Sequence, residues 1–208
     1  MVNKIMNLDK IEKLYSNNIK EFGIDSRAVG WNTNQTQSLR FEKLLQVITD
    51  ASNPFSINEL GCGYGELFKY LNENNFNVER FNGYDISKPM LDSCRIYNHD
   101  NDKITLFNKP KIESKADFTI TSGIFNVPCG NDKESWEKYV KETLENMFEF
   151  SNKGIAFNLL TSFVDYEADN LYYGSPTHFF DFCKKKFSNK VTLIHDYDLY
   201  EWTIIVFK

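Results

Sequence analysis

Three glycines at alternate positions, Gly61, Gly63 and Gly65, follow Glu59-Leu60 in the run Glu59-Leu60-Gly61-Cys62-Gly63-Tyr64-Gly65. Glycine adopts positive φ without a Cβ clash and lets backbone pass close to a ligand. Where such a loop joins a strand to a helix, its N–H groups lie at a helix N-terminus, beside any bound carboxylate or phosphate. Asp85, followed by Ile86, stands 20 residues beyond Gly65, the spacing at which an acid meets the hydroxyls of a ribose. The competing reading is a tight strand-to-helix turn with an aspartate that caps the helix starting at Ser87. The sixth position of the glycine pattern is Glu66, where a dinucleotide loop has Gly or Ala, and a glutamate is a poor neighbour for pyrophosphate. A nucleoside ligand that carries positive charge tolerates Glu59 and Glu66 better.

Other residues could add chemistry to such a loop. Gln37 and Arg40 lie three apart, on one helical face, and a guanidinium can clamp a carboxylate in bidentate fashion. Arg40 could equally pair with Glu42 or Glu12. His195 falls at the end of a strand, where it could serve as a general base for a hydroxyl, or simply bridge a hairpin turn. Asp165, Tyr166, Tyr172 and Tyr173 form a polar and aromatic loop able to cover a second ligand or to pack against an N-terminal helix. His178 and His99 read as local capping and surface-loop residues. No trio of His, Asp or Glu has metal-ligand spacing, so no metal is expected.

These groups need a scaffold, and the apolar pattern describes one. Leu8, Ile11, Leu14, Tyr15, Ile19 and Phe22 repeat at helical spacing, and Thr36 to Ala51 reads as a second helix. From Phe55 onward strands alternate with helices: strands at Phe55–Leu60, Arg80–Asp85, Ile104–Phe107, Phe118–Ser122 and Ile155–Leu160, and helices at Gly65–Asn74, Pro89–Tyr97 and Asp132–Phe150. A helix over Pro176–Phe187 leads to strands at Val191–His195 and Trp202–Phe207, whose short link permits a hairpin but no parallel crossover. The expectation is one α/β domain, a doubly wound, mostly parallel, seven-stranded sheet with its last strand antiparallel. Residues 1–51 form an N-terminal helical cap and 52–208 the Rossmann-like core.

The 208 residues carry 24 basic and 29 acidic side chains, a formal charge of −5, with the basic ones scattered, which argues against a duplex-tracking nucleic-acid enzyme. The first ten residues are polar and no apolar run approaches a membrane span, so a cytoplasmic protein is expected. Cys62, Cys94, Cys129 and Cys183 form neither a metal knuckle nor a disulfide framework. Aromatics make up 15% of the chain, and some of the tyrosines should line a ligand cavity.

Three segments in order, Glu59 to Gly65, then Gly83-Tyr84-Asp85-Ile86-Ser87, then Ala116-Asp117-Phe118-Thr119-Ile120-Thr121-Ser122-Gly123, resemble the successive motifs of class I S-adenosylmethionine-dependent methyltransferases. The resemblance covers roughly Thr36 to the C-terminus. It implies that the glycine loop receives the methionine part of S-adenosylmethionine, Asp85 the ribose, and Ser122-Gly123 the region of the transferable methyl. Two departures stand out. The segment Asn108 to Glu113 lacks the usual acid immediately after the third strand, the one that meets adenine, and Ser122-Gly123-Ile124-Phe125-Asn126 replaces the Asn-Pro-Pro-Tyr of base-modifying relatives. The whole chain, including Trp31 to Glu42 and Leu159 to Tyr173, is weakly similar to small bacterial methyltransferases of surface-polysaccharide biosynthesis, some of which modify sugars or phosphoramidate groups. The resemblance adds this substrate lead; the acceptor expected from the residues themselves is a small molecule methylated on oxygen and held by Asn126, Tyr166, Tyr172 and Tyr173, with His195 as candidate base. A protein or RNA methyltransferase and a non-catalytic S-adenosylmethionine-binding protein are the alternatives.

Overall fold

A computed structural model describes residues 6–31 and 33–208. Among these residues six α-helices surround one sheet: α1 Asp9–Phe22, α2 Asn34–Leu44, α3 Glu66–Glu73, α4 Lys88–Tyr97, α5 Lys133–Glu149 and α6 Pro176–Lys186. The strands are β1 Phe55–Leu60, β2 Val78–Tyr84, β3 Ile104–Phe107, β4 Ala116–Thr121, β5 Ser151–Thr161, β6 Tyr173–Gly174, β7 Val191–Ile194 and β8 Glu201–Phe207. Their order is β3-β2-β1-β4-β5-β8-β7, with the two-residue β6 added to the end of β5. β8 pairs antiparallel with both β5 and β7, as the short link before it requires, and β1 to β5 pair parallel. The chain leaves β1 in one direction toward β3 and returns to β4 on the other side. A crevice therefore opens at the carboxyl ends of β1 and β4, the switch point of the sheet.

Alternation along the strands sorts the core into two layers. Ile155, Phe157 and Leu159 of β5 and Trp202, Ile204 and Val206 of β8 pack with Trp136, Leu144 and Phe179 of the helices α5 and α6. Ala156 and Ile205 face the other way, into a layer with Phe41 and Leu44 of α2 and Leu67, Phe68 and Leu71 of α3. Helix starts are capped by the residue types expected. The Ser87 hydroxyl accepts from Met90 N–H at 3.3 Å, and the Asp132 carboxylate from Ser135 N–H at 2.9 Å.

Element boundaries depart from the sequence reading by a residue or two at several ends and by more at two. The second helix runs from Asn34 through a 3₁₀ turn at Leu45–Val47 and stops before Ala51, because Ile48, buried like Val47, takes extended backbone. β5 begins at Ser151 and not at Ile155, since α5 feeds it directly through Phe150. Polar residues at the start of β5 hide it from an apolar count.

Gly154 lies where β5 and β8 pair closely. A Cβ there would sit 2.8 Å from the Val206 carbonyl oxygen and 3.1 Å from Val47 Cγ2. Gly154→Ala should therefore destabilise the protein by about 1–3 kcal/mol, read as a lower urea midpoint. An unchanged midpoint would show that β5 and β8 have room to move apart.

Candidate active site

The switch-point crevice is a cavity with about 930 Å³ of space, including its part open to solvent. β1 and its glycine loop form the floor, through Glu59, Gly61, Cys62 and Gly63, and Asp85 and Ile86 form one side. Ser122 and Gly123 close the end of β4. Helix α1 contributes Ile11 and Tyr15, and α5 contributes Trp136 and Tyr139. Val29, Trp31, Gln37 and Phe41 supply the remaining wall.

The glycine loop is held from below. Gly61 and Cys62 N–H both donate to the Tyr84 carbonyl, at 2.7 and 3.0 Å. Gly63 N–H donates to Asp85 Oδ2 at 2.9 Å, and Ser87 N–H to Asp85 Oδ1 at 2.8 Å. Positive φ at Gly61 (77°) and Gly63 (52°) makes this wrapping possible. The loop amides at 61–63 are thus spent on β2 and Asp85, and do not face a ligand carboxylate as the helix-terminus reading expects. Gly65 lies outside the cavity lining. A Cβ there would strike Asn98 Nδ2 and Cys94 Sγ at 2.5 Å each, so this glycine serves packing.

Two polar atoms stand out. Among the described residues Glu59 Oε2 and Ser122 Oγ are buried without a hydrogen-bond partner, and both residues line the cavity. Burial, with Cys94 and Asp85 nearby, holds the Glu59 carboxyl well above the ordinary carboxylate range. Burial also raises Asp85 to about 6, against the downward pull of the N–H groups of Ser87, Gly63 and Ile86. Tyr15 is raised to about 12 by burial and by nearby Cys129 and Asp85, so its phenol is a hydrogen-bond donor and no base. Contact with Cys94 and burial keep the Cys62 thiol well up. Gln37 is buried, and it lines the cavity together with Tyr64. The Asn108 amide reaches the carbonyls of Asp85 and Ile86 at 3.0 and 2.9 Å, which brings Lys109 and Pro110 to the rim.

No protein-family model matches the chain. A Mycobacterium tuberculosis protein provisionally named a methyltransferase, Rv1506c, is 39% identical over 163 residues, which are 77% of this chain and 98% of that protein. The chain belongs to the methyltransferase family. Solved structures agree on the class I fold. A DhpI complex with S-adenosylmethionine and HEP superposes with a TM-score of 0.67 at 11% identity, covering 99% of this chain and 100% of that one. The N-methyltransferase NodS of Bradyrhizobium japonicum WM9, bound to S-adenosylhomocysteine, gives 0.64 at 9% identity over 94% and 98%.

In this methyltransferase several residues expected at the site lie elsewhere. The Arg40 guanidinium is no free clamp: its Nε and Nη2 donate to Glu201 at 2.6–3.0 Å and its Nη1 to the Thr36 carbonyl at 2.8 Å. His195 is exposed beside Phe163, with ring centroids 5.9 Å apart. β7 lies three strand spacings from β4, about 14 Å. Among the tyrosines after β5, Tyr166 is 80% exposed, while Tyr172 is buried and directed at Glu137. The Tyr173 hydroxyl accepts from Ala168 N–H at 3.3 Å, pinning its own loop. Asn126 joins β4 to β5, its Oδ1 accepting from Leu160 N–H at 3.3 Å and its carbonyl from Tyr172 N–H at 2.9 Å. The aromatic wall instead comes from Tyr15, Trp31, Trp136 and Tyr139. Tyr15 sits within the apolar stripe of the first helix, where periodicity gives it the same signal as a core residue.

Asp85 makes stability depend on pH in a definite direction. Its carboxyl has a higher affinity for protons folded, about 6, than at the ordinary 3.8. It has no effect on stability at pH values below both, and opposes folding increasingly as pH rises through that interval, by at most about 3 kcal/mol. Asp85→Asn should flatten the decline in unfolding free energy between about pH 4 and 7. Equal slopes in variant and wild type would remove this carboxyl as the titrating group.

Proposed function

We propose that the cavity binds S-adenosylmethionine and that the enzyme transfers its methyl group to an oxygen of a small metabolite, sugar- or nucleotide-linked, in the cytoplasm. The observation that carries the donor reading is the orphaned Glu59 carboxyl at the end of β1, with Ser122 Oγ beside the end of β4. A buried acid without a partner matches a ligand that brings its own cations, an ammonium and a sulfonium. Asp85 spends one hydrogen bond per oxygen on Gly63 and Ser87, and each oxygen keeps acceptor capacity for one hydroxyl of a ribose diol. At Gly61 a Cβ would run into the Ile124 side chain, and at Gly63 it would meet Val29 Cγ1 at 3.0 Å, so both glycines preserve space in the cavity wall. The donor supplies an electrophilic methyl group. What the chain contributes is alignment of the acceptor and exclusion of water.

An oxygen that is already anionic, on a phosphate-like or carboxylate group, fits the acceptor side better than a neutral hydroxyl. Glu59 and Asp85 line the floor and the ribose side, whereas the rim and the α1 and α5 walls offer the Lys109 ammonium and the Tyr15 and Tyr139 phenols. These groups orient an anion and take no proton from it. No side-chain base is then required. The four cysteines, all free thiols, suit a reducing compartment.

Two measurements test this function. Binding of S-adenosylmethionine should release a proton as Glu59 ionises against the ammonium, seen in calorimetry as a heat that varies with buffer ionisation enthalpy. Glu59→Gln should abolish that release and weaken binding by about 1.5–3 kcal/mol. Absence of any binding, with NAD bound instead, would overturn the donor assignment. Mass spectrometry of methyl transfer across nucleotide sugars, nucleotide phosphoramidates and small carboxylates should find the acceptor. On that acceptor His195→Ala should keep turnover within about 2-fold, and a loss of about 10²-fold or more would restore a general base and a hydroxyl.

A further inference from the structure

The Arg40–Glu201 pair is buried, joins residues 161 apart in sequence, and leads to the end of β4 by two routes. Through the core, Glu201 Oε2 accepts from Asn158 Nδ2 at 2.5 Å, and Asn158 Oδ1 accepts from Gly123 N–H at 2.8 Å. Over the top, the Arg40 guanidinium lies 3.8 Å from the centre of the Trp31 ring. That indole fills the space where a Gly123 Cβ would stand, and Gly123 has φ of 73°. Trp31 is itself a cavity wall. One buried guanidinium thus holds both supports of the Ser122-Gly123 turn.

We infer that Arg40 is a positioning residue: stacked under Trp31 and paired with Glu201, it seats the indole on Gly123 and fixes the donor-side wall at the end of β4. The inference rests on the donor reading above for its effect on affinity, and on the contacts alone for its effect on the turn. Lysine cannot reproduce the arrangement, since it has neither a planar face for the indole nor a fork for the carboxylate. Removing one charge would leave the other buried and unpaired, so the informative change is Arg40→Met with Glu201→Gln, in which the amide oxygen introduced in place of the carboxylate can still accept from Asn158.

The test measures three quantities on folded protein: thermal midpoint, affinity for S-adenosylhomocysteine well below that midpoint, and hydrogen exchange of the Gly123 amide. Trp31→Ala leaves the ion pair in place and should weaken S-adenosylhomocysteine at least tenfold and speed Gly123 exchange. The Arg40→Met/Glu201→Gln protein should show the same loss, and adding Trp31→Ala to it should cause little more, because both act through one contact. Arg40→Lys should fall between. If the paired variant does not fold, Trp31→Ala and Arg40→Lys carry the same comparison. Wild-type affinity with only a lowered midpoint, or fully additive losses, would overturn the inference. If wild-type protein binds no S-adenosylhomocysteine, the donor reading fails. Gly123 exchange then decides the positioning role alone, faster in Trp31→Ala and Arg40→Lys supporting it and unchanged overturning it.

Discussion

The Asp85 carboxylate organises the site. By accepting from Gly63 N–H in the glycine loop and from Ser87 N–H at the start of α4, it fixes the two turns that leave β1 and β2 relative to each other. α1 is drawn into the same arrangement, because the Ser16 and Ser87 hydroxyls lie 2.8 Å apart and Ser16 donates to Glu12 at 2.5 Å. Tyr15, the residue before Ser16, is thereby held as a cavity wall. A group raised to about 6 by burial opposes folding when ionised at neutral pH. Such a cost at a switch point is what a binding site carries when its acid is reserved for a ligand.

Polarity divides the cavity. Carboxyl groups occupy the floor and the Asp85 side, with Glu59 orphaned, while the helical walls present ring faces and phenols that burial keeps protonated. A cationic donor and an acceptor that needs no base satisfy both halves at once. The exposed His195 imidazole at the sheet's far edge stands outside this lining.

Much of this was legible in the sequence. Alternation in Ile155, Phe157 and Leu159, the glycines before α3, and the 20-residue step to Asp85 report local geometry, which a chain encodes locally. Glu59, Cys62, Ser122 and Gln37 also reach the cavity as their motifs implied. What escaped depends on distance through space. Arg40 meets Glu201, a partner that no spacing rule connects to it, and so stands behind Trp31 and not beside a ligand. His195 does end a strand on the expected edge, but strand order sets it too far to the side. The loop after β5 is rich in tyrosine, yet burial takes Tyr172 into the core and leaves Tyr166 in solvent. Nor does a glycine pattern tell where its N–H groups point, and here they turn back to Tyr84 and Asp85.

The most direct measurement is a crystal structure of the protein grown with S-adenosylhomocysteine. The ribose hydroxyls should meet the Asp85 carboxylate and the ligand's amino group should lie against Glu59, with Trp31 closing the wall above Gly123. Density for the ligand outside this cavity, or within it with the ribose turned away from Asp85, would contradict the account.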